Sequence, residues 1–159
     1  KRGFFMRTFD VNSFKKINIS RDWVQENSSF TLKKHTIRGL HMQLPPSSET
    51  KLIRCTQGKI LDVYVDLRKR SKSFGKWGSI ILNESNMIYI PRGFAHGFCT
   101  LQNNCCVFYK VDNFYNSSKE CGIIWNDKKL NIKWPTDNPI LSEKDKNNFK
   151  LEEVERLID

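Results

Sequence analysis

The sequence predicts an all-β fold, a two-sheet sandwich or barrel, with helix confined to its ends. Three observations carry this. Short runs of β-branched, aromatic and alternating apolar residues follow one another through the middle of the chain. Turn clusters such as Asn83-Glu84-Ser85-Asn86 and Gln102-Asn103-Asn104 separate them. No helical period intervenes between the runs, so there is no βαβ rhythm.

Taken in order, Asp10 is placed to cap a short helix through Val11, Phe14 and Ile17. Arg38-Gly39-Leu40-His41-Met42-Gln43 and Lys51-Leu52-Ile53-Arg54-Cys55 read as strands on either side of a Pro-Pro pair. Residues 59–67 form a β-rich run interrupted by Asp62 and Asp66, and residues 78–82, 87–90, 94–101 and 105–111 follow at short intervals. Residues 134–139 are extended and punctuated by Pro135 and Pro139, and Ser142 is placed to cap a brief turn carrying Lys144 and Asp145. Leu151, Val154, Leu157 and Ile158 make an apolar stripe at helical spacing. No internal repeat, linker or low-complexity segment divides the chain, which is read as one domain over residues 1–159.

With 159 residues, eleven of them Phe, one domain has material for a sizeable core. No apolar run reaches the length of a membrane span, and no signal peptide opens the sequence. The five cysteines are odd in number and lack Cys-x-x-Cys spacing, which fits a reduced, cytoplasmic protein without a zinc site. A formal charge of +10 calls for an anionic partner. Lys outnumbers Arg two to one, however, and is scattered among Asn and Ile instead of forming a phosphate track. Nucleic acid is therefore not expected, whereas a phosphorylated small molecule fits the charge.

Three histidines are present. His35 sits in a polar stretch and is expected to be exposed, while His41 and His96 lie in apolar strand contexts beside glycine. Pro91-x-Gly93-x-x-His96 resembles the second motif of the cupin barrels, many of which bind a transition metal. The first cupin motif carries two His one residue apart, then a Glu ahead of a Gly. Here the corresponding residues are His41-Met42-Gln43, with Lys51 ahead of Gly58. An ammonium cannot coordinate a metal, so metal binding is not expected, and Lys51 supplies the fixed cation. A histidine base beside a fixed cation suits proton abstraction next to a carbonyl, through an enolate that needs electrostatic support. Inverting a carbon also needs a proton donor on the opposite face, for which Tyr109 and Tyr115 are available.

These residues belong to a longer series. Arg2-Gly3-Phe4-Phe5, Gln25-Glu26-Asn27-Ser28, the His41 and Lys51 segments, Asp62-Val63, Asp66-Leu67-Arg68, the His96 segment, Trp125-Asn126-Asp127, Trp134-Pro135 and Leu141-Ser142-x-Lys144-Asp145 are similar, in order, to the dTDP-4-dehydrorhamnose 3,5-epimerases. The resemblance implies a cupin-like double-sheet jelly-roll barrel with short C-terminal helices, a homodimer, and neither metal nor organic cofactor. Its substrate would be a nucleotide-linked, dTDP-type 4-keto-6-deoxyhexose, inverted at carbons 3 and 5. Under it, His41 is the general base, Asp145 orients the His41 ring, Tyr109 is the acid on the other face and Lys51 stabilises the enolate. Arg38 and His96 assist there. Arg2, Phe5, Gln25, Asn27, Glu120 and Lys144 match substrate-binding positions, and Tyr115 matches the residue that stacks on the nucleobase.

Arg7 stands where many members carry an acidic residue, and the chain is expected to lack the additional N-terminal strand of its relatives. A monoepimerase acting at carbon 3 alone, a 3,4-ketoisomerase and a sugar-nucleotide-binding module remain open alternatives.

Overall fold

The computed structural model describes residues 2–158. After the short helix α1 (Val11–Lys16), the chain forms β1 (Gln25–Thr31), β2 (Ile37–Gln43), β3 (Lys51–Gln57), β4 (Ile60–Asp66), β5 (Trp77–Leu82), β6 (Met87–Ile90), β7 (Phe94–Thr100), β8 (Cys105–Val111) and β9 (Glu120–Gly122). Two further helices, α2 (Glu143–Lys146) and α3 (Leu151–Leu157), close it. The strands divide into a four-stranded antiparallel sheet ordered β1-β8-β3-β6 and a five-stranded one ordered β5-β4-β7-β2-β9. Successive strands mostly switch sheets, which is the cupin-like jelly roll.

Two cores explain why β4 reads as apolar on both faces. Ile60 joins Ile53, Cys55, Leu82, Ile90, Phe98, Cys105 and Val107 between the sheets. Val63 and Val65, on the alternate face, join Leu40, Met42, Ala95, Leu151, Val154 and Ile158 between the five-stranded sheet and the C-terminal helix. The period-2 alternation of β2 follows from the same arrangement. Leu40 and Met42 serve the helix-covered core, which sends His41 and Gln43 to the barrel interior.

The ends follow their caps. The Asp10 carboxylate accepts from the Ser13 N–H at 2.7 Å, and the Ser142 hydroxyl accepts from the Asp145 N–H at 3.1 Å. Leu157 departs from the expected stripe and is largely exposed. At about 100° per residue it lies roughly 60° beyond Val154, outside the arc defined by Leu151, Val154 and Ile158.

His35 also departs from expectation. It is half-buried at φ +62°, its N–H donates to Thr100 O, and its carbonyl accepts from Ile140 N–H. Asp66 does not interrupt β4 either. Arg68 grips its carboxylate in a fork and Ser71 and Ser73 donate to it, which holds the carboxyl well below the usual range.

Candidate active site

A cavity of about 300 Å³ opens between the sheets, lined by Arg38, His41, Lys51, His96, Tyr109 and Asp145 among others. A second, of about 260 Å³, shares His41, Lys51 and Tyr109 and extends past Gln25, Asn27, Glu49, Tyr115 and Glu120. Every residue expected at the site lines one or both, Lys144 included, except Arg2 and Phe5. Those two sit on the irregular segment ahead of α1, with Phe5 90% exposed, and take no part in their own chain's cavity. Arg7 is exposed on the same segment.

His41 is placed by an irregularity in β2. Its pairing with β7 slips between Arg38 and His41, and Gly39 in the slip has φ +107°. A Cβ on Gly39 would stand 2.7 Å from the His96 carbonyl oxygen and 2.8 Å from Gly97 Cα, so only glycine fits. Beyond the slip, His41 Nε2 lies 2.5 Å from Asp145 Oδ1. Asp145 is held by α2, whose flanks are pinned to the five-stranded sheet through bridges of Thr36 with Ile140 and of Ile123 with Phe149.

Burial pushes the Asp145 carboxyl up, but the hydrogen bond and charge of His41, with N–H and O–H donors from Gly39 and Ser142, bring it below the ordinary value. An ionised carboxylate only accepts, so Nε2 carries the proton and Nδ1 is the basic nitrogen. Asn148 Nδ2 also donates to Asp145 Oδ1, at 3.3 Å, and fills the space that a side chain at Gly122 would need.

The opposite wall comes from the four-stranded sheet. Tyr109 on β8 faces Asn27 on β1 and Ile53 on β3, and Lys51 enters two register steps along, opposite Val111. Burial raises the Tyr109 phenol above its usual pKa, reinforced by the charges of Glu49 and Glu120 and opposed by Arg38. Lys51 Nζ lies 3.1 Å from Glu49 Oε1, with both side chains almost closed off from solvent. Arg38 is fixed at the rim through Thr31 Oγ1, at 3.0 Å, and the Phe30 carbonyl.

Sequence reasoning missed two carboxylates. Asp62 is fully buried and its Oδ2 lies 2.8 Å from His96 Nε2, an arrangement that fixes the ring of the second histidine. It points inward because it is one diagonal step from His96 in the β4–β7 register, so the acid read as breaking a strand serves the cavity. Glu49 lies two residues before Lys51, the spacing that puts extended side chains on one face.

At the outer end Tyr115 Oη donates to Glu120 Oε2 at 2.7 Å, and Lys144 pairs with the same carboxylate. Burial lifts the Glu120 carboxyl, but these two donors prevail and hold it below its ordinary value. Gln25 donates to Asn27 at 3.0 Å and accepts from the Tyr115 N–H at 3.4 Å. The site thus has a reactive end between two sheets and a polar end at the surface.

The model of the dTDP-4-dehydrorhamnose 3,5-epimerase family matches residues 1–153. The chain belongs to this family. A dTDP-4-dehydrorhamnose 3,5-epimerase of Shigella flexneri is 44% identical over 161 aligned positions, which cover 99% of this chain and 88% of the relative. The solved epimerase of Bacillus anthracis, with TDP and pyrophosphate bound, is 45% identical and superposes with a TM-score of 0.92 over 94% of this chain and 87% of that one. The Legionella pneumophila enzyme, solved with dTDP-4-keto-L-rhamnose, is 34% identical with a TM-score of 0.91, covering 99% and 85%. As a 3,5-epimerase family member, the chain is an isomerase whose His41, Lys51, Tyr109 and Asp145 stand together in one barrel.

Proposed function

We propose that this epimerase inverts carbons 3 and 5 of a dTDP-linked 4-keto-6-deoxyhexose, and that the cavity between the sheets is where it does so. The observation that carries the reading is the placement of His41 on the five-stranded sheet, paired with Asp145 of α2, across the cavity from Tyr109 and Lys51 on the four-stranded sheet. Base and acid then address opposite faces of one sugar ring.

Carbons 3 and 5 flank the ketone, so each bears an acidic hydrogen. His41 Nδ1 takes that proton while the C–H electrons move into the carbonyl, forming an enolate whose oxygen Lys51 stabilises. The carbonyl re-forms as Tyr109 Oη delivers a proton to the far face. Solvent then returns the phenolate and imidazolium to their starting states. Nothing is oxidised or reduced and no group leaves, so the chemistry balances with protons alone and calls for no cofactor.

The polar end receives the nucleotide. Tyr115 offers a half-exposed ring for the base, Gln25 and Asn27 offer amides, and Lys144 offers a cation to the pyrophosphate. The family reading extends to a single-domain homodimer, in which the exposed segment with Arg2 and Phe5 serves the nucleotide end of the second copy. The five free cysteines fit a reducing cytoplasm, and a route to surface polysaccharide is the corresponding pathway assignment. No helix among the described residues is long and apolar enough to cross a membrane.

The test is NMR of dTDP-4-keto-6-deoxyglucose with the protein in heavy water. Deuterium at carbons 3 and 5 is expected. Deuterium at carbon 3 alone makes it a monoepimerase, carbonyl migration to carbon 3 a ketoisomerase, and binding without exchange a sugar-nucleotide-binding module.

A further inference from the structure

Glu49 has no part in the proton transfers above, yet its carboxylate lies inside the cavity. Its side chain is only 12% exposed and that of its partner Lys51 only 10%. Oε1 meets Lys51 Nζ at 3.1 Å, while Oε2 accepts from Gln43 Nε2 at 2.7 Å. Gln43 is held in turn on every side. Its two N–H groups are shared among that carboxylate and the carbonyls of Ser47, at 3.0 Å, and Phe114, at 3.2 Å, and its oxygen accepts from the Asn116 N–H at 2.6 Å. The amide is thus a fixed mount with both ends committed, and the carboxylate is anchored to it.

Lysine needs such an anchor. Its ammonium is a compact charge on a flexible four-carbon stem that loses rotamer entropy when it is held in one place. Stabilisation of a developing oxyanion requires the donor to be in place beforehand. We propose that Glu49 is a positioning residue: the relay from Gln43 through Glu49 fixes the Lys51 ammonium where the enolate oxygen develops. The inference rests on the epimerase reading of the same cavity.

Glu49 has a second reach. Its charge, after burial, helps to keep the Tyr109 phenol protonated, with Glu120 adding to it and Arg38 opposing. His41, Lys51, His96, Lys144 and Asp145, with Tyr115 at the outer end, complete the charged or titratable groups lining the cavity with that phenol. A buried ion pair that merely offsets the cost of enclosing Lys51 would have neither consequence for turnover.

The test compares Glu49→Gln with the unsubstituted protein by deuterium exchange and product formation across pH. The substitution keeps the size, removes the charge and leaves one of the two donors, Lys51 Nζ or Gln43 Nε2, facing an N–H. The expected result is a fall in kcat of about tenfold or more with KM little changed, since misplacement by roughly 1 Å costs up to about a hundredfold. The high-pH limb of the profile should move to lower pH. Glu49→Asp, which keeps the charge but withdraws the carboxylate by one methylene, should lose kcat while leaving that limb in place, and it carries the test alone if E49Q does not fold. Unchanged kcat and pH profiles in the folded variants overturn the proposal. Absence of exchange by the unsubstituted protein instead overturns the epimerase reading, and the proposal with it.

Discussion

His41 Nε2 and Asp145 Oδ1 meet at 2.5 Å across a sequence separation of 104 residues, the imidazole on a central strand and the carboxylate on a four-residue helix. The carboxylate sets the tautomer and the ring angle together. Asp145→Asn can reverse both, because an amide also donates. A kcat loss of about a hundredfold or more is expected, as for removal of general-base catalysis. His41→Ala should abolish solvent exchange at both carbons with an unchanged circular dichroism spectrum. Exchange persisting in that variant would remove His41 from the role of base.

The same carboxylate makes a prediction about acid. Its folded pKa lies below the ordinary value, so its ionisation contributes stability that is present above about pH 4 and lost as pH falls through the depressed value. Asp145→Asn should therefore flatten the acid side of the stability profile. Urea unfolding at a series of pH values from neutral to acid measures it, and parallel curves for the two proteins would contradict the assignment.

Tyr109 titrates in the other direction. Burial and neighbouring carboxylates raise its phenol above the ordinary value, so it stays protonated and can act as a donor throughout the neutral range. Tyr109→Phe should leave proton removal by His41 intact but stop delivery to the far face. Deuterium would then wash into substrate of unchanged configuration, and NMR that finds normal yields of inverted product would rule out Tyr109 as the donor.

Gly39 carries a backbone conformation that other residues hold only under strain, with backbone atoms of β7 where a Cβ would go. Gly39→Ala should cost at least about 1–3 kcal/mol of stability and displace His41 as well. Thermal unfolding and kcat should both fall. A stable, inactive variant would show that the slip in β2 can be rebuilt without glycine.

Tyr115 is 57% exposed at the outer end of the cavity, its hydroxyl tied to Glu120. Tyr115→Ala should raise KM by about tenfold, within the range for losing one base–aromatic stack, with kcat nearly unchanged. A fall in kcat without a change in KM would place the ring with the sugar instead of the base.

The sequence makes most of the barrel legible because most strands advertise themselves. Residues 87–90 and 105–111 are apolar enough that β6 and β8 coincide with the expected runs, and β4, β5 and β7 differ from theirs only at the ends. β1 is invisible by that signal. Gln25-Glu26-Asn27-Ser28-Ser29 lacks an apolar period because one of its faces is the polar wall of the cavity. Three-residue β9 is too short to show any period.

The site divides in the same way. A base, a cation and a lost metal motif follow from residue types at His41, Gln43 and Lys51. The pairing of His41 with Asp145 came only through likeness to a family, since no spacing rule joins an early strand to a late helix. Asp62 shows how far local reading goes. An acid in a β-rich run looks like an interruption until the fold supplies His96, 34 residues away.

The dependence of the base on α2 has a consequence for the order in which a nascent chain becomes an enzyme. β1 to β9 are complete by Gly122, with Lys51, His96 and Tyr109 already in their sheets. Asp145 arrives 23 positions later and is docked by bridges on either side. A chain halted between those points lacks α3 as well as Asp145, so Val63 and Val65 lose the cover of Leu151 and Val154 while His41 loses its carboxylate. Activity therefore waits on the docking of the segment that follows β9, and arrested chains of graded length assayed for deuterium uptake would read when that happens.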